Sequence, residues 1–445
     1  MAFERNDTML HKVAKNMILV FLILINGMIM LSCSQDKVKF ENVEVEIKGN
    51  HCIGTFDTPY LFKVTFDADI DLPVLPEYRS IPVRKVSLTI GEIKRLISIC
   101  SDSNSVDLFG QWDLSKQELM AMLKQAEPYM GTEKVSPDYI AWLKNSIDSA
   151  SEIPIRRQIN LNDIPSGIPV IVYGKDNSNN PPSLLYFVID GDFLFWYQRK
   201  EFIEIIPESM TAKHQYDPNY ETEEQFIRKK PDAPSISQDN AYAIAIKYLD
   251  AIGADLNLYS VEKCSFLSNS AVDKETGWMF VFARKIFSIQ TRYEDGWTYI
   301  NPKYKPVYVA PWATEIVKIA VDSKGLCSLM WQGASKIETD TAQTVSLLPV
   351  EEVPSIVADT LYRIYGEHLN ENGIGFAFEV TDMKLGMSLV SSDGKESGAR
   401  LIPSWYIYYH KRWCDAEEYM VPNKLILSAI DGSYIEPRIT TNDIR

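Results

Sequence analysis

The chain has little of the chemistry on which most enzymes are built. Histidine occurs five times in 445 residues, as His11, His51, His214, His368 and His410. There is no Gly-x-Ser-x-Gly elbow, no Gly-x-x-x-x-Gly-Lys-Ser/Thr phosphate loop and no His-Glu-x-x-His. The familiar nucleophile, phosphate-cradle and zinc-hydrolase signatures are therefore missing. None of the six cysteines (Cys33, Cys52, Cys100, Cys264, Cys327 and Cys414) belongs to a Cys-x-x-Cys pair, so a zinc ribbon or thioredoxin-type motif is excluded. Isolated cysteines such as Cys100, in Leu96-Ile97-Ser98-Ile99-Cys100, read as buried small hydrophobes. Positive charge is also short, with 45 Lys and Arg against 60 Asp and Glu for a net of −15. Such a chain is repelled by nucleic acid and by anionic lipid faces.

What is present begins at the amino end. Lys12 and Lys15 precede an apolar run from Met17 to Ile25. Asn26-Gly27 interrupt it, Met28–Leu31 resume it, Ser32-Cys33 close it, and the polar Ser34–Lys37 follows. A basic start, an apolar core and a small residue at the cut are the layout of a cleavable export signal. With cysteine at the cut, the segment resembles the signal of bacterial lipoproteins. That resemblance implies that Cys33 is lipidated and becomes the first residue of the mature protein. Met30 and Ser32 fit the pattern, and Leu31 is bulkier than its usual occupant. The competing readings are an uncleaved anchor and a plain secretory signal. A spanning helix takes ~20 apolar residues, whereas Met17–Leu31 is fifteen with Asn and Gly inside. Residues 1–32 carry Arg5, Lys12 and Lys15 against Glu4 and Asp7, so their removal takes the net charge from −15 to about −16. At ~0.8 kcal/mol per buried methylene, two or three acyl chains hold a soluble domain firmly on a membrane.

About 410 residues remain after residue 32, enough for two or three domains. Residues 33–42 read as a tether and 43–201 as an N-terminal α+β domain. Val43–Ile47 and Leu61–Phe66 alternate as strands do, and Val83–Ile90 is a further strand candidate. Helices are expected near Gly91–Cys100, over Lys116–Tyr129 and from Pro137, where proline suits a first helical position. Ile168–Tyr173 and Leu184–Ile189 flank a turn-rich stretch and read as a hairpin. Residues 202–236, with Pro207, Pro218, Pro231, Pro234 and the basic run Arg228-Lys229-Lys230, read as a linker.

A weak internal repeat follows the linker. Ser237-Gln238-Asp239 opens a helix with Ala241, Ile244, Ala245, Tyr248, Leu249 and Ile252 inward, stopped by Gly253. Strands are expected at Tyr259–Leu267, Gly277–Arg284 and Ala313–Val321, the last ending in Asp322-Ser323-Lys324-Gly325. In the second copy Pro349–Pro354 opens a helix with Val357, Leu361, Ile364, Tyr365 and His368 on one face. Strands then read at Phe376–Leu385, Leu401–His410 and Asn423–Ile430, the last ending in Asp431-Gly432-Ser433. A repeat of about 110 residues is too long for a solenoid unit and suggests a duplicated α+β module.

Trp278, Phe280, Val321-Asp322 and Gly325 in copy one, and Pro403, Trp405 and Ile430-Asp431-Gly432-Ser433 in copy two, resemble the PepSY-like modules of bacterial envelope proteins. They are also similar to the extracytoplasmic YycH and YycI regulators and to a group of gut-bacterial lipoproteins. The resemblance covers roughly residues 237–437. It implies two tandem helix-on-antiparallel-sheet modules, 237–345 and 346–437, before a short tail at 438–445. It implies binding or inhibition rather than catalysis, and brings no catalytic residue with it.

Candidate chemistry is thin. His410 and Cys414 are spaced to share a metal, but zinc takes four ligands and no second pair is evident. His368 reads as a hydrogen-bonded core histidine. Asp190-Gly191-Asp192 offers two carboxylates but reads as a hairpin turn. Asp322 and Asp431 read as turn formers for the same reason. Trp297, Tyr299, Tyr304, Tyr308 and Trp312 cluster in a long loop, Gln290–Trp312, with Gly296, Pro302, Pro306 and Pro311. Such a loop either folds back onto the sheet or offers a binding surface, since Tyr and Trp supply large amphipathic contacts.

The sequence therefore leads to an α+β protein, lipid-anchored through Cys33 on the outer side of a cell membrane or in an outer membrane. The expected role is non-catalytic binding or regulation of an envelope protein, peptide or glycan, with no cofactor, metal or nucleic acid. The alternative is an exported hydrolase acting on cell-wall or dietary polymer, with Asp190 and Asp192 as its carboxylates.

Overall fold

The computed structural model describes residues 40, 42–58, 62–100, 107–110, 115–126, 137–152, 160–164, 169–175, 183–189, 193–199, 202–208, 232–268, 275–292, 312–372, 375–391, 398–413 and 421–435. The chain opens with β1 (Asn42–Lys48), β2 (His51–Asp57), β3 (Phe62–Asp71) and β4 (Tyr78–Lys85). Helix α1 (Ile90–Cys100), strand β5 (Asp107–Gly110) and helices α2 (Lys116–Ala126) and α3 (Pro137–Ser149) follow. Then come β6 (Pro169–Lys175), β7 (Ser183–Val188), β8 (Leu194–Gln198) and β9 (Phe202–Pro207). Helix α4 (Gln238–Ile252) leads to β10 (Asn257–Ser268), β11 (Glu275–Ala283), the small hairpin β12 (Lys285–Ile286) and β13 (Ile289–Gln290), β14 (Ile316–Asp322) and β15 (Gly325–Gln332). Short β16 (Ser335–Ile337) and β17 (Gln343–Val345) precede α5 (Val353–Asn372), β18 (Phe376–Ser391), β19 (Ala399–Trp413) and β20 (Val421–Ser428).

Among the described residues, eighteen of these strands form two nine-stranded sheets and β12 pairs with β13 as a separate hairpin. Sheet one runs β1-β2-β3-β18-β19-β4-β16, with β17 also on β4 and β20 also on β19. Sheet two runs β5-β6-β7-β8-β15-β14-β11-β10-β9. The fold is mixed α+β and mostly sheet.

Local sequence explains the helices. The Ser237 side chain accepts from the Asn240 backbone N–H and caps α4, and Gly253, at φ 78°, closes it in the left-handed region. Ala241, Ala245, Leu249 and Ile252 are buried as the spacing predicts and pack on Phe280, Phe282, Val317 and Ile319 of sheet two. A 3₁₀ turn, Val350–Glu352, leads into α5. Val357, Leu361, Ile364 and Tyr365 are buried on sheet one with Phe378, Val380 and Trp405.

Both expected copies have a helix followed by an antiparallel meander. In the first, β10, β11, β14 and β15 pair in succession. In the second, β18, β19 and β20 do so. Neither meander stands alone. β8 adds to β15, antiparallel, and β3 adds to β18, parallel. The strands of residues 43–201 therefore form no sheet of their own. They are divided between the two sheets, each completed by later segments of the chain. Composition does not carry this information, because pairing between distant strands leaves no local trace.

The expected linker also begins inside a sheet, because Phe202–Pro207 pairs with β10 as β9. Pro82 lies within β4, and its carbonyl accepts from the Glu338 N–H at 3.0 Å. Pro82 stands opposite Arg400 in the three-residue pairing of this strand with β19. The turn at Asp322 is a hairpin into β15, a strand the repeat pattern did not include.

Candidate binding groove

Sheet one ends at β1, which pairs only with β2 among the described residues. Period-two alternation sorts its side chains. Val43, Val45 and Ile47 line a cleft with Phe40, Phe56, Glu351, Pro354 and Ser355, and Glu44, Glu46 and Lys48 are exposed. The wall opposite β1 is the start of α5 and the 3₁₀ turn before it. The cleft encloses about 580 Å³, within the range of small-ligand sites. Its floor is fixed by aromatic packing, with Phe40 edge-on to Phe56 at 5.3 Å and Phe56 edge-on to Phe66 at 5.8 Å. Val43 is 58% exposed, so this apolar lining faces water. The charges near it are Glu44 and Glu46 on β1, with Lys48 paired to Glu46 at 2.8 Å, and the exposed Glu351 and Glu352 on the opposite wall.

Two buried ion pairs lie elsewhere. Arg284 and Glu315 pair where the two sheets meet, and the Trp331 indole N–H donates to the same carboxylate at 3.3 Å. Burial pushes the Glu315 carboxyl above its ordinary value, although Arg284 pulls the other way. The space beside this pair is about 10 Å³, bordered by Val83, Leu389 and Leu401. That is room for about one water. In sheet two the Arg199 guanidinium pairs with Asp322, and Asp322 also accepts from the Lys324 backbone N–H at 2.8 Å. These groups are occupied in holding the fold.

The residues proposed from the sequence fare differently. Cys33, Trp297, Tyr299, Tyr304, Tyr308, Asp190, Asp192 and Cys414 lie outside the described residues, as do the side chain of His368 and the run Arg228-Lys229-Lys230. Trp312 is 4% exposed and its indole N–H donates to Ser335 Oγ at 3.2 Å. It packs with Ile286 and Ile289 against the core of sheet one. Trp312 thus carries a link of sheet two into the other sheet and presents no ligand surface. Asp322 and Asp431 are turn formers, each Oδ1 accepting the backbone N–H two residues on, at 2.8 and 3.1 Å. Cys52, Cys100, Cys264 and Cys327 are free and buried, and burial pushes the Cys52 thiol up to about 11. Among the described residues, no group of three or more His, Cys, Asp or Glu side chains is placed to hold a metal, and no helix is long and apolar enough to cross a membrane.

The groove itself was not read from the sequence. Its two walls are about 300 residues apart in the chain. Its only local signal was the alternation Val43-x-Val45-x-Ile47, which identifies a strand but not an edge.

No family model matches this chain, and no curated protein matches it. Among solved structures it is similar to a crystal structure of an uncharacterized protein from Eubacterium rectale ATCC 33656. The two share 13% identity at a TM-score of 0.46, over 84% of this chain and 91% of that one.

Proposed function

We propose that this is a lipid-anchored, extracytoplasmic binding protein of the bacterial cell envelope, held on the membrane through Cys33 and non-catalytic. The observation that carries the reading is the position of the groove. It begins at Phe40, seven residues after Cys33. Seven residues span at most ~25 Å when extended, so a chain anchored at Cys33 holds this cleft close to the membrane surface. Six of the eight described lining residues are apolar, Glu351 and Ser355 are the polar ones, and none of the eight is histidine or cysteine. The buried carboxylates of Glu315 and Asp322 are committed to Arg284 and Arg199.

The duplicated helix-and-meander units support the PepSY-like reading of residues 237–437. In both, a helix packs on the strands that follow it, and the third strand named in each copy closes on an aspartate bonded to its own turn. In this reading the units are scaffolds for recognition, and the ligand occupies the groove at the edge of sheet one.

Metabolic labelling with an alkynyl fatty acid tests the anchor. The parent chain is expected to label and to stay with membranes, and Cys33→Ala is expected to lose the label. Equal labelling of both chains, or of neither, would overturn the reading.

A further inference from the structure

We propose that the β1–α5 groove binds an extended peptide that adds a strand to β1, with apolar residues facing the groove and basic residues facing outward. The proposal rests on the binding reading above and names its ligand class. Three observations support it.

The first is the free edge. β1 has one strand neighbour among the described residues, so one side of its backbone presents a row of N–H and C=O groups. An added extended segment satisfies such a row, and this is how edge strands recruit peptides. The second is the lining. An edge strand beside a helix, with an apolar cleft between them, receives alternate side chains of an added strand. Val43, Val45, Ile47 and Phe56 supply one side, and Pro354 with Ser355 the other. The strand Asn42–Lys48 offers about 23 Å of pairing length.

The third is charge. The outward residues of an added strand stand opposite or diagonal to Glu44, Glu46 and Lys48, all exposed, with Lys48 paired to Glu46 at 2.8 Å, so that face carries one excess negative charge. Opposite charges directly across a strand pair stabilise it, and like charges oppose it. The same rule disfavours a second copy as occupant. Antiparallel pairing of two β1 strands at full overlap is centred on Val45 and sets Glu44 against Glu46 twice. The directly opposed glutamates disfavour a second copy, although Lys48 stands diagonal to Glu44 of that copy, and the excess negative charge of the face favours a basic segment.

The test is calorimetric titration of the full-length chain in detergent with a capped peptide that alternates Lys and Val and matches β1 in length. Saturable one-to-one binding is expected. N-methylation of alternate backbone nitrogens keeps the charge and removes strand pairing. It should weaken binding by about tenfold or more, as should Glu44→Lys with Glu46→Lys. That charge-reversed variant, whose altered side chains are exposed, is expected to gain affinity for an alternating Glu and Val peptide. Absence of saturable binding would overturn the proposal. So would equal binding of the N-methylated peptide, or unchanged affinity in the charge-reversed variant. The Cys33→Ala chain is expected to bind as the parent does, so a failure of the anchor and a failure of the groove are read separately.

Discussion

The two sheets solve one problem in different ways. Each takes a helix-and-meander unit from the second half of the chain and completes it with strands from the first. Sheet two does so by continuing the antiparallel order, with β8 laid against β15 at Ser328–Gln332. Sheet one does so through a parallel joint, with β3 laid against β18 along Phe376–Lys384. The parallel joint leaves β1 and β2 as an outlying hairpin, and β1 becomes the sheet edge at which the groove forms. Sheet two ends instead at β5 and β9. The candidate site thus comes from the strands joined to the second helix-and-meander unit, at β1.

The equivalent aspartates test this comparison most strongly. Both bond their own turns, but only Asp322 also pairs with Arg199 at a buried position. Asp322→Ala leaves the Arg199 charge without its carboxylate partner and is expected to cost about 3–5 kcal/mol. Asp431→Ala loses an exposed turn bond and should cost about 1 kcal/mol. Urea unfolding of the two variants measures the gap, and equal costs would remove the distinction.

A smaller asymmetry lies in two glycines. A Cβ at Gly277 would stand 2.2 Å from the Val321 carbonyl oxygen, which is backbone. At Gly386 the nearest atoms belong to the side chains of Arg292 and Tyr406, at 2.9 Å. Gly277→Ala is therefore expected to cost about 2–3 kcal/mol and Gly386→Ala about 1 kcal/mol, because side chains yield more easily than a paired strand. Smaller again is the helix cap. Ser237→Ala should destabilise by about 1 kcal/mol, whereas Pro349, which gives the 3₁₀ turn before α5 no side-chain cap bond, should be replaceable with little effect on that turn.

The smallest effect concerns pH. His51 on β2 is bonded to Asp69 at 3.1 Å and Asp67 at 3.0 Å on β3. The bond to Asp69, chiefly, holds its pKa above the ordinary value. A raised folded-state value favours the protonated form. The stabilisation is then fully present below the unfolded value of about 6.5 and fades as pH rises through the folded value. Thermal unfolding of the parent and His51→Gln should differ most at low pH and converge as pH rises. A difference that grows with pH would contradict the assignment.

The sequence made local features legible and distant ones opaque. Ser237 and Gly253 mark the ends of α4 because capping and left-handed closure are local chemistry. The buried faces of both C-terminal helices and the turn bonds of Asp322 and Asp431 were readable for the same reason, whereas the pairing of Asp322 with Arg199, distant in the chain, was not. Trp312 was placed in an aromatic loop cluster, yet it is buried against the sheet on which its own segment does not lie. Nothing in its neighbours signals that crossing. The groove was hidden more deeply, since an edge is defined by the absence of a neighbour and one wall belongs to a helix far along the chain.

The central claim is that the two helix-and-meander units are not autonomous, because each sheet is finished by N-terminal strands. Residues 237–445 expressed alone test it most directly. The fragment lacks β8 and β3, the partners of β15 and β18. It is expected to show no cooperative thermal transition, and co-expression with residues 34–208 should restore one. A single cooperative transition from the fragment alone, at the melting temperature of the full chain, would contradict the account.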